Sequence, residues 1–243
     1  MPSSASAEIC RLIIDEEPAP GAWNMAVDAA LLDSAVAGGS CTVRWYRWDR
    51  PTLSLGYFQA PETVPGDPRL AGLPVVRRLT GGGAIVHHFE LTYSCTLPAG
   101  HRLARDTRQL YLSVHAQIIR VLGEFGFAAN LRGVHEAGRA ANFLCFARGD
   151  DFDVVMGENK VLGSAQRRRK GAVLQHGSLL LRRSSSAGGF PGVFDCGGQS
   201  VPETDLLQQL SRNVGEVFSH RVEIASLTAD ERRRAAQLID NAK

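Results

Sequence analysis

The spacing of apolar and polar positions switches between two periods along the chain, and the switches mark the elements. Cys10 to Asp15 reads as a strand. A Pro-Ala-Pro-Gly break follows, and from about Ala22 to Val36 the residues Trp23, Ala26, Val27, Ala30 and Leu31 recur on one face of a helix. Thr42 to Trp48 and Thr52 to Leu55 are short strands punctuated by Arg50-Pro51 and Gly56. Pro74 to Leu79 runs into Thr80-Gly81-Gly82-Gly83 and resumes at Ala84 to His87, while Leu91, Tyr93, Cys95 and Leu97 alternate with polar or small residues as in a half-buried strand. A second helix is expected from about Thr107 to Phe125. The run DFDVVMGENKVLGSAQRRRKGAVLQHGSLLL, ending at Leu181, reads as consecutive strands joined by tight turns. A Gly/Ser-rich loop spans Ser184 to Gln199, and helical segments cover roughly Glu203 to Val217 and Ala229 to Ile239. Hairpins with helices inserted predict an α/β (α+β) fold, a mixed, largely antiparallel central sheet with helices packed on it. With no internal repeat and no linker-like stretch, the chain reads as a single domain over 1–243, its core at about 10–200 and a C-terminal helical segment at about 203–240.

Composition narrows the function classes. At 243 residues with 44% apolar residues the chain buries a real core, and a net charge of +2 argues against a dedicated nucleic-acid binder. Five cysteines at irregular spacing without a C-x-x-C pair (Cys10, Cys41, Cys95, Cys145, Cys196) suggest reduced thiols rather than a disulfide framework or zinc site. The start MPSSASAEICRLIIDEEP has no basic opening, and no apolar stretch is long enough to span a bilayer, so a cytoplasmic protein with no membrane partner is expected.

Two residues draw the chemistry. The chain has three lysines (Lys160, Lys170, Lys243) and otherwise uses arginine as its cation, so a lysine at the mouth of a tight turn between strands calls for a chemical use. Cys145 lies fifteen positions upstream. A thiol attacks only as thiolate, which a nearby cation favours. An unselected cysteine in an apolar run such as ANFLCF is usually core, and an average lysine in Gly157-Glu158-Asn159-Lys160 is usually solvated. Cys10, Cys41 and Cys95 read as core, and Cys196, in a glycine-rich loop, is the rival nucleophile. The turn at Thr80, Gly81, Gly82 and Gly83 lets backbone N–H groups approach an acyl oxygen. Arg77 and Arg78 point to opposite faces of a strand, so at most one faces a pocket. The run Arg167-Arg168-Arg169-Lys170 reads as a charged hairpin turn or a docking site for an acidic partner.

The blocks GAWNMAVDAALL, RWYRWDRPTLSLGYFQ, VVRRLTGGGAIVHHFELTYSCTL and KVLGSAQRRRKGAVLQHGSLLL, in that order, resemble the biotin/lipoate protein ligase and acyltransferase superfamily. Within it the likeness is greatest to octanoyltransferases of the LipM type, which carry a cysteine ahead of the lysine strand and a G-S-A-Q, L-Q-H-G continuation. That resemblance implies a biotin/lipoate protein ligase catalytic-domain-like fold and a single catalytic domain. It implies octanoate moving from octanoyl acyl carrier protein, through a thioester on Cys145, to a lysine of a lipoyl domain or glycine-cleavage H protein. Lys160 would favour the ionised sulfur and relay its proton. Arg77, Thr80, Gly81, Gly82, Gly83, His87, Tyr93, Gly163, Ser164, Ala165, Gln166, His176 and Gly177 would surround the acyl group. No metal, nucleotide or other cofactor is expected, because a thioester is already activated. Gly83 stands where this type often has arginine, and His88 where an aspartate is common. The alternatives are an ATP-dependent lipoate-protein ligase acting through lipoyl-adenylate, transfer between two lipoyl-accepting proteins, and a non-catalytic acyl-binding or scaffold protein. Biotin ligation is disfavoured by the lack of a G-R-G-R-x-G-R stretch.

Overall fold

The computed structural model describes residues 9–60, 62, 66–133, 143–147, 149–187 and 189–241. Residues 1–8, on which the absence of a leader was argued, residues 141 and 142 of the ANFLCF run, and Lys243 lie outside them. In chain order the elements are β1 (Ile9–Ile14), α1 (Gly21–Val36), β2 (Cys41–Tyr46), β3 (Thr52–Leu55), β4 (Val75–Arg77), β5 (Ile85–His87), β6 (Glu90–Leu97), α2 (Thr107–Glu124), β7 (Asn130–Leu131), β8 (Val154–Met156), β9 (Asn159–Arg169), β10 (Ala172–Leu180), α3 (Val193–Gly197), α4 (Glu203–Glu216), β11 (Arg221–Ile224) and α5 (Ala229–Asp240).

Eight strands form the main sheet in the order β11-β1-β2-β6-β10-β9-β8-β7. The pairs of β1 with β11 and with β2 are parallel and the others antiparallel, which gives the mixed sheet expected. Its two faces are sorted by side-chain parity. Leu12 joins the large cluster with Leu110 and Val114 of α2 and Leu206 and Leu210 of α4, whereas its neighbour Ile13 joins Val27, Ala30 and Leu31 of α1 and Ala235 of α5. A second sheet, β4-β3-β5, carries its own small core and holds the glycine turn.

Three expectations change. Strand β6 is buried at all eight positions rather than on one face, because α1 covers the side on which its polar residues lie. Those residues have partners: Ser94 donates to Asp28 at 2.8 Å and Thr92 accepts from the Trp48 indole at 2.8 Å. The segment read as a loop from Ser184 to Gln199 contains α3, and residues 221–224 add an edge strand, β11, parallel to β1. The C-terminal helix is bound by a capping box: Thr228 accepts from the Glu231 N–H, and Glu231 reaches back to the Thr228 N–H. The same Glu231 carboxylate pairs with Arg11 of β1 at 2.7 Å.

Candidate functional site

A cleft with about 450 Å³ of unfilled space opens where β5, β9, β10 and the glycine turn converge. Gly81, Gly82, His87, Cys145, Gly163, Ser164, Ala165, His176 and Gly177 line it, with Met25 and Ile85 adding apolar surface. Cys145 is half-buried in a 3₁₀ turn, Cys145–Ala147, which docks on the strand leaving the glycine turn: the Cys145 N–H donates to the Ala84 carbonyl at 2.7 Å. Lys160 is 6% exposed, not solvated, and its Nζ lies 3.8 Å from the Cys145 sulfur and 3.4 Å from the Cys145 carbonyl.

A β-bulge sets that approach. Val155 pairs with Lys160 and Val154 with Leu162, so Val161 is the extra residue. Val161 and Leu162 both enter the large core, and Lys160 therefore shares a face with Gly163 rather than with Leu162. A Cβ at Gly163 would stand 2.6 Å from Lys160 Cε and 2.9 Å from Nζ, so the lysine needs a glycine there.

Asp153, which the sequence did not single out, holds Nζ at 2.8 Å. Burial pushes its carboxyl up from the ordinary value, against the opposing pull of Lys160. Its signal was present as the acid just ahead of a strand in DFDVV, but nothing in the spacing said that a bulge would turn the lysine toward it.

Arg78 lines the cleft, and Arg77 does not. Arg77 is exposed, and its guanidinium donates to the Tyr57 and Gln59 carbonyls at the surface. Strand parity allowed either outcome, and the choice came from how β4 pairs with β3. Arg78 is 3% exposed and donates to the Ser54 carbonyl at 3.0 Å and to the carbonyls of Gly81 at 2.8 Å and Gly83 at 2.6 Å. Among the described residues no carboxylate stands within ion-pair distance of it, and its Nε has no partner. Burial pushes its guanidinium down to about 10, partly offset by the charge that Cys145 can carry. Gly83 therefore serves through its carbonyl, and Gly56 packs so closely that a Cβ there would meet the Gly82 carbonyl at 2.1 Å.

Of the remaining expected residues, Gln166, Tyr93 and Thr80 sit behind the wall, and His87 and His176, which line it, are held from behind. Gln166 turns away to donate to the Thr107 carbonyl at 2.8 Å and the Gln175 side chain at 2.6 Å, because it shares the α2 face. Tyr93 is fully buried and touches Ser164 at 2.8 Å. His115, unremarked in the sequence because it reads as one more residue of a helix, fixes the direction of this chain. Its Nδ1 faces the Phe152 carbonyl at 2.6 Å, so Nδ1 bears the proton, and Nε2 accepts from the Ser164 hydroxyl at 2.7 Å. Burial lowers its pKa to about 4, which keeps the ring neutral. Thr80 Oγ1 and His176 Nε2 share a hydrogen bond at 2.6 Å, and the other ring nitrogen of His176 faces Asp28 at 3.2 Å. Burial works to raise the Asp28 carboxyl, but His176, Arg44 and Ser94 together carry it below its ordinary value. His87 is held by Glu90 at 2.8 Å and Ser54 at 2.7 Å and stacks on Trp48, and burial lowers its pKa. His88 points elsewhere, to Ser184 at 2.8 Å. Cys196 packs against the large core in α3, where burial and Asp195 raise its thiol. Cys10, Cys41 and Cys95 are buried as expected.

A family model described as the lipoyl protein ligase A/B catalytic domain matches residues 20–190. Octanoyltransferase LipM of Kyrpidia tusciae is 33% identical over 248 aligned positions, covering 90% of each chain. Octanoyltransferase LipM of Oceanobacillus iheyensis is 37% identical over 176 positions, which span 69% of this chain and 63% of that one. Among solved structures, a putative lipoate protein ligase from T. acidophilum with bound lipoic acid is similar with a TM-score of 0.75 at 23% identity, covering 97% of this chain and 95% of that chain. At that identity the likeness shows the fold.

Proposed function

The chain belongs to the lipoyl protein ligase A/B catalytic domain family, and from that membership together with the cleft we infer that it is an octanoyltransferase of protein lipoylation working through a thioester on Cys145. The observation that carries the reading is a half-buried sulfur 3.8 Å from a buried lysine amine at the edge of an apolar-floored cleft. In the first half-reaction the Cys145 sulfur attacks the carbonyl of an octanoyl thioester. The new C–S bond forms, the carrier's C–S bond breaks, and the carrier thiol leaves with the proton that Cys145 gave up. In the second, the ε-amine of an acceptor lysine attacks the acyl-enzyme and the amide replaces the thioester. The backbone N–H groups of the glycine turn are the donors proposed for the acyl oxygen, and the Arg78 guanidinium, whose Nη atoms are bound to Ser54, Gly81 and Gly83, adds positive charge beside it. An eight-carbon chain buried along Met25, Ile85 and Ala165 contributes roughly 5 kcal/mol of binding, at about 0.8 kcal/mol per methylene.

The donor in this reading is an octanoyl acyl carrier protein, and the acceptor is a lipoyl domain or glycine-cleavage H protein. The rim offers a surface for an acidic carrier. Arg167 lies 4.5 Å over the Tyr57 ring, Phe58 beside it is 86% exposed, and the Tyr57 N–H donates to the Thr80 carbonyl of the glycine turn at 2.8 Å. The cations of the hairpin do not act as one run, since Arg168 turns to the Ala104 carbonyl and Arg169 pairs with Asp33. The deciding experiment supplies octanoyl carrier protein and an apo lipoyl domain without nucleotide. Octanoylated acceptor is expected. Product only from free octanoate with Mg-ATP would replace this reading with the ligase.

A further inference from the structure

Nζ of Lys160 stands between two neighbours, Asp153 Oδ1 at 2.8 Å and Cys145 Sγ at 3.8 Å. The carboxylate is itself pinned. It is 3% exposed, its Oδ2 accepts from the Asp150 N–H at 2.8 Å, and the Arg132 guanidinium lies 3.6 Å from Oδ2. The titratable groups around this trio are Arg132 and Asp150 on the loops, Tyr111 and His115 on α2, and Arg78 across the cleft. One oxygen of Asp153 is thus held from outside the site while the other faces the lysine.

We propose that Asp153 is a positioning residue that holds the Lys160 ammonium against the Cys145 sulfur, making the cleft a Cys-Lys-Asp relay. The proposal rests on the acyl-enzyme reading above. Charge balance supports the arrangement. Lys160 and Arg132 both lie against the Asp153 carboxylate, and Arg78 has no carboxylate partner among the described residues, so the groups around the Cys145 sulfur leave positive charge facing it. When the acceptor amine forms its C–N bond and the C–S bond to Cys145 breaks, Nζ gives a proton to the departing sulfur and receives the proton lost by the amine nitrogen. Asp153 stays a carboxylate throughout and keeps Nζ aimed.

The test is Asp153→Asn, which retains an oxygen for the Asp150 N–H, with its thermal midpoint measured alongside. Iodoacetamide alkylation of Cys145 at pH 7 is expected to fall roughly tenfold, with its pH profile displaced to higher pH, because Nζ is no longer held against the sulfur. Transfer from acyl-enzyme to acceptor is expected to fall roughly 100-fold. Asp153→Glu, which restores the charge, returns alkylation toward the wild-type profile. In a Lys160→Met background, adding Asp153→Asn costs no further transfer. Unchanged alkylation and transfer in Asp153→Asn, or a further loss in the double variant, would overturn the proposal. Should Asp153→Asn not fold, Lys160→Met carries the test: with no ammonium held beside the sulfur, alkylation at pH 7 slows by roughly tenfold or more, and an unchanged rate overturns the relay. Failure of the acyl-enzyme reading would appear differently, as wild-type protein that never acquires an octanoyl group on Cys145.

Discussion

Two buried clusters of charge meet at His176 and are completed to different degrees. On the α1 side, Arg44 is fully buried and saturated: it pairs with Asp15 at 2.6 Å and Asp28 at 3.0 Å, donates to the Asn24 side chain at 2.9 Å, and lies 4.0 Å over the Tyr46 ring. Asp28 in turn receives Tyr46, Ser94 and His176. Around the cleft, Arg78 keeps an Nε without a partner, Lys160 is shared between a carboxylate and a sulfur, and Cys145 is half-exposed. A saturated cluster leaves nothing for a ligand and serves the fold. An incomplete one carries charge that an incoming carbonyl or a developing anion can complete.

The sharpest break of that comparison is Arg44→Met. It strands Asp28 and Asp15 without their cation and is expected to cost about 3–5 kcal/mol of stability, read from urea denaturation. A variant as stable as wild type would mean that the α1 cluster is not a keystone of the fold. Gly163→Ala tests the other cluster. Its Cβ clashes with the far end of the Lys160 side chain, which must leave its buried partner Asp153 to make room, so acyl transfer is expected to fall by about 10–100-fold together with a loss of stability smaller than that of Arg44→Met. Loss of folding with no specific loss of transfer would place Gly163 in the structural class.

His115 joins the two accounts through pH. Its folded value of about 4 lies below the ordinary 6.5, so the unfolded chain binds the extra proton in between. Stability is whole above about 6.5 and declines as pH falls toward about 4, with roughly 2 kcal/mol lost between pH 7 and pH 5. His115→Gln is expected to lack this component in urea midpoints at the two pH values, and an equal decline in both proteins would refute it. The smallest effect belongs to the rim. Arg167→Glu should slow transfer from the carrier protein several-fold at low salt and flatten its dependence on ionic strength, without touching alkylation of Cys145.

The hairpins from β8 to β10 and the helices α1, α2, α4 and α5 were legible because period and turn residues agree locally. So was the pairing of Cys145 with Lys160, through a family resemblance rather than through spacing. What was hidden depended on contacts between distant residues. The choice of Arg78 over Arg77 rests on strand register, and the lysine's aim rests on one bulged residue, Val161. Asp28, Arg44 and His176 belong to three elements far apart in sequence, so no local pattern joins them. The fully buried β6 misled for a similar reason, since its small polar residues look solvent-facing until α1 is laid over them.

The central claim is that one sulfur carries the acyl group during turnover. Intact mass of the wild-type protein and of Cys145→Ser after incubation with octanoyl carrier protein tests it directly. The account predicts an octanoyl adduct, removed by hydroxylamine, on the wild type alone. An adduct of equal yield on Cys145→Ser, or continued transfer by that variant at the wild-type rate, would contradict it.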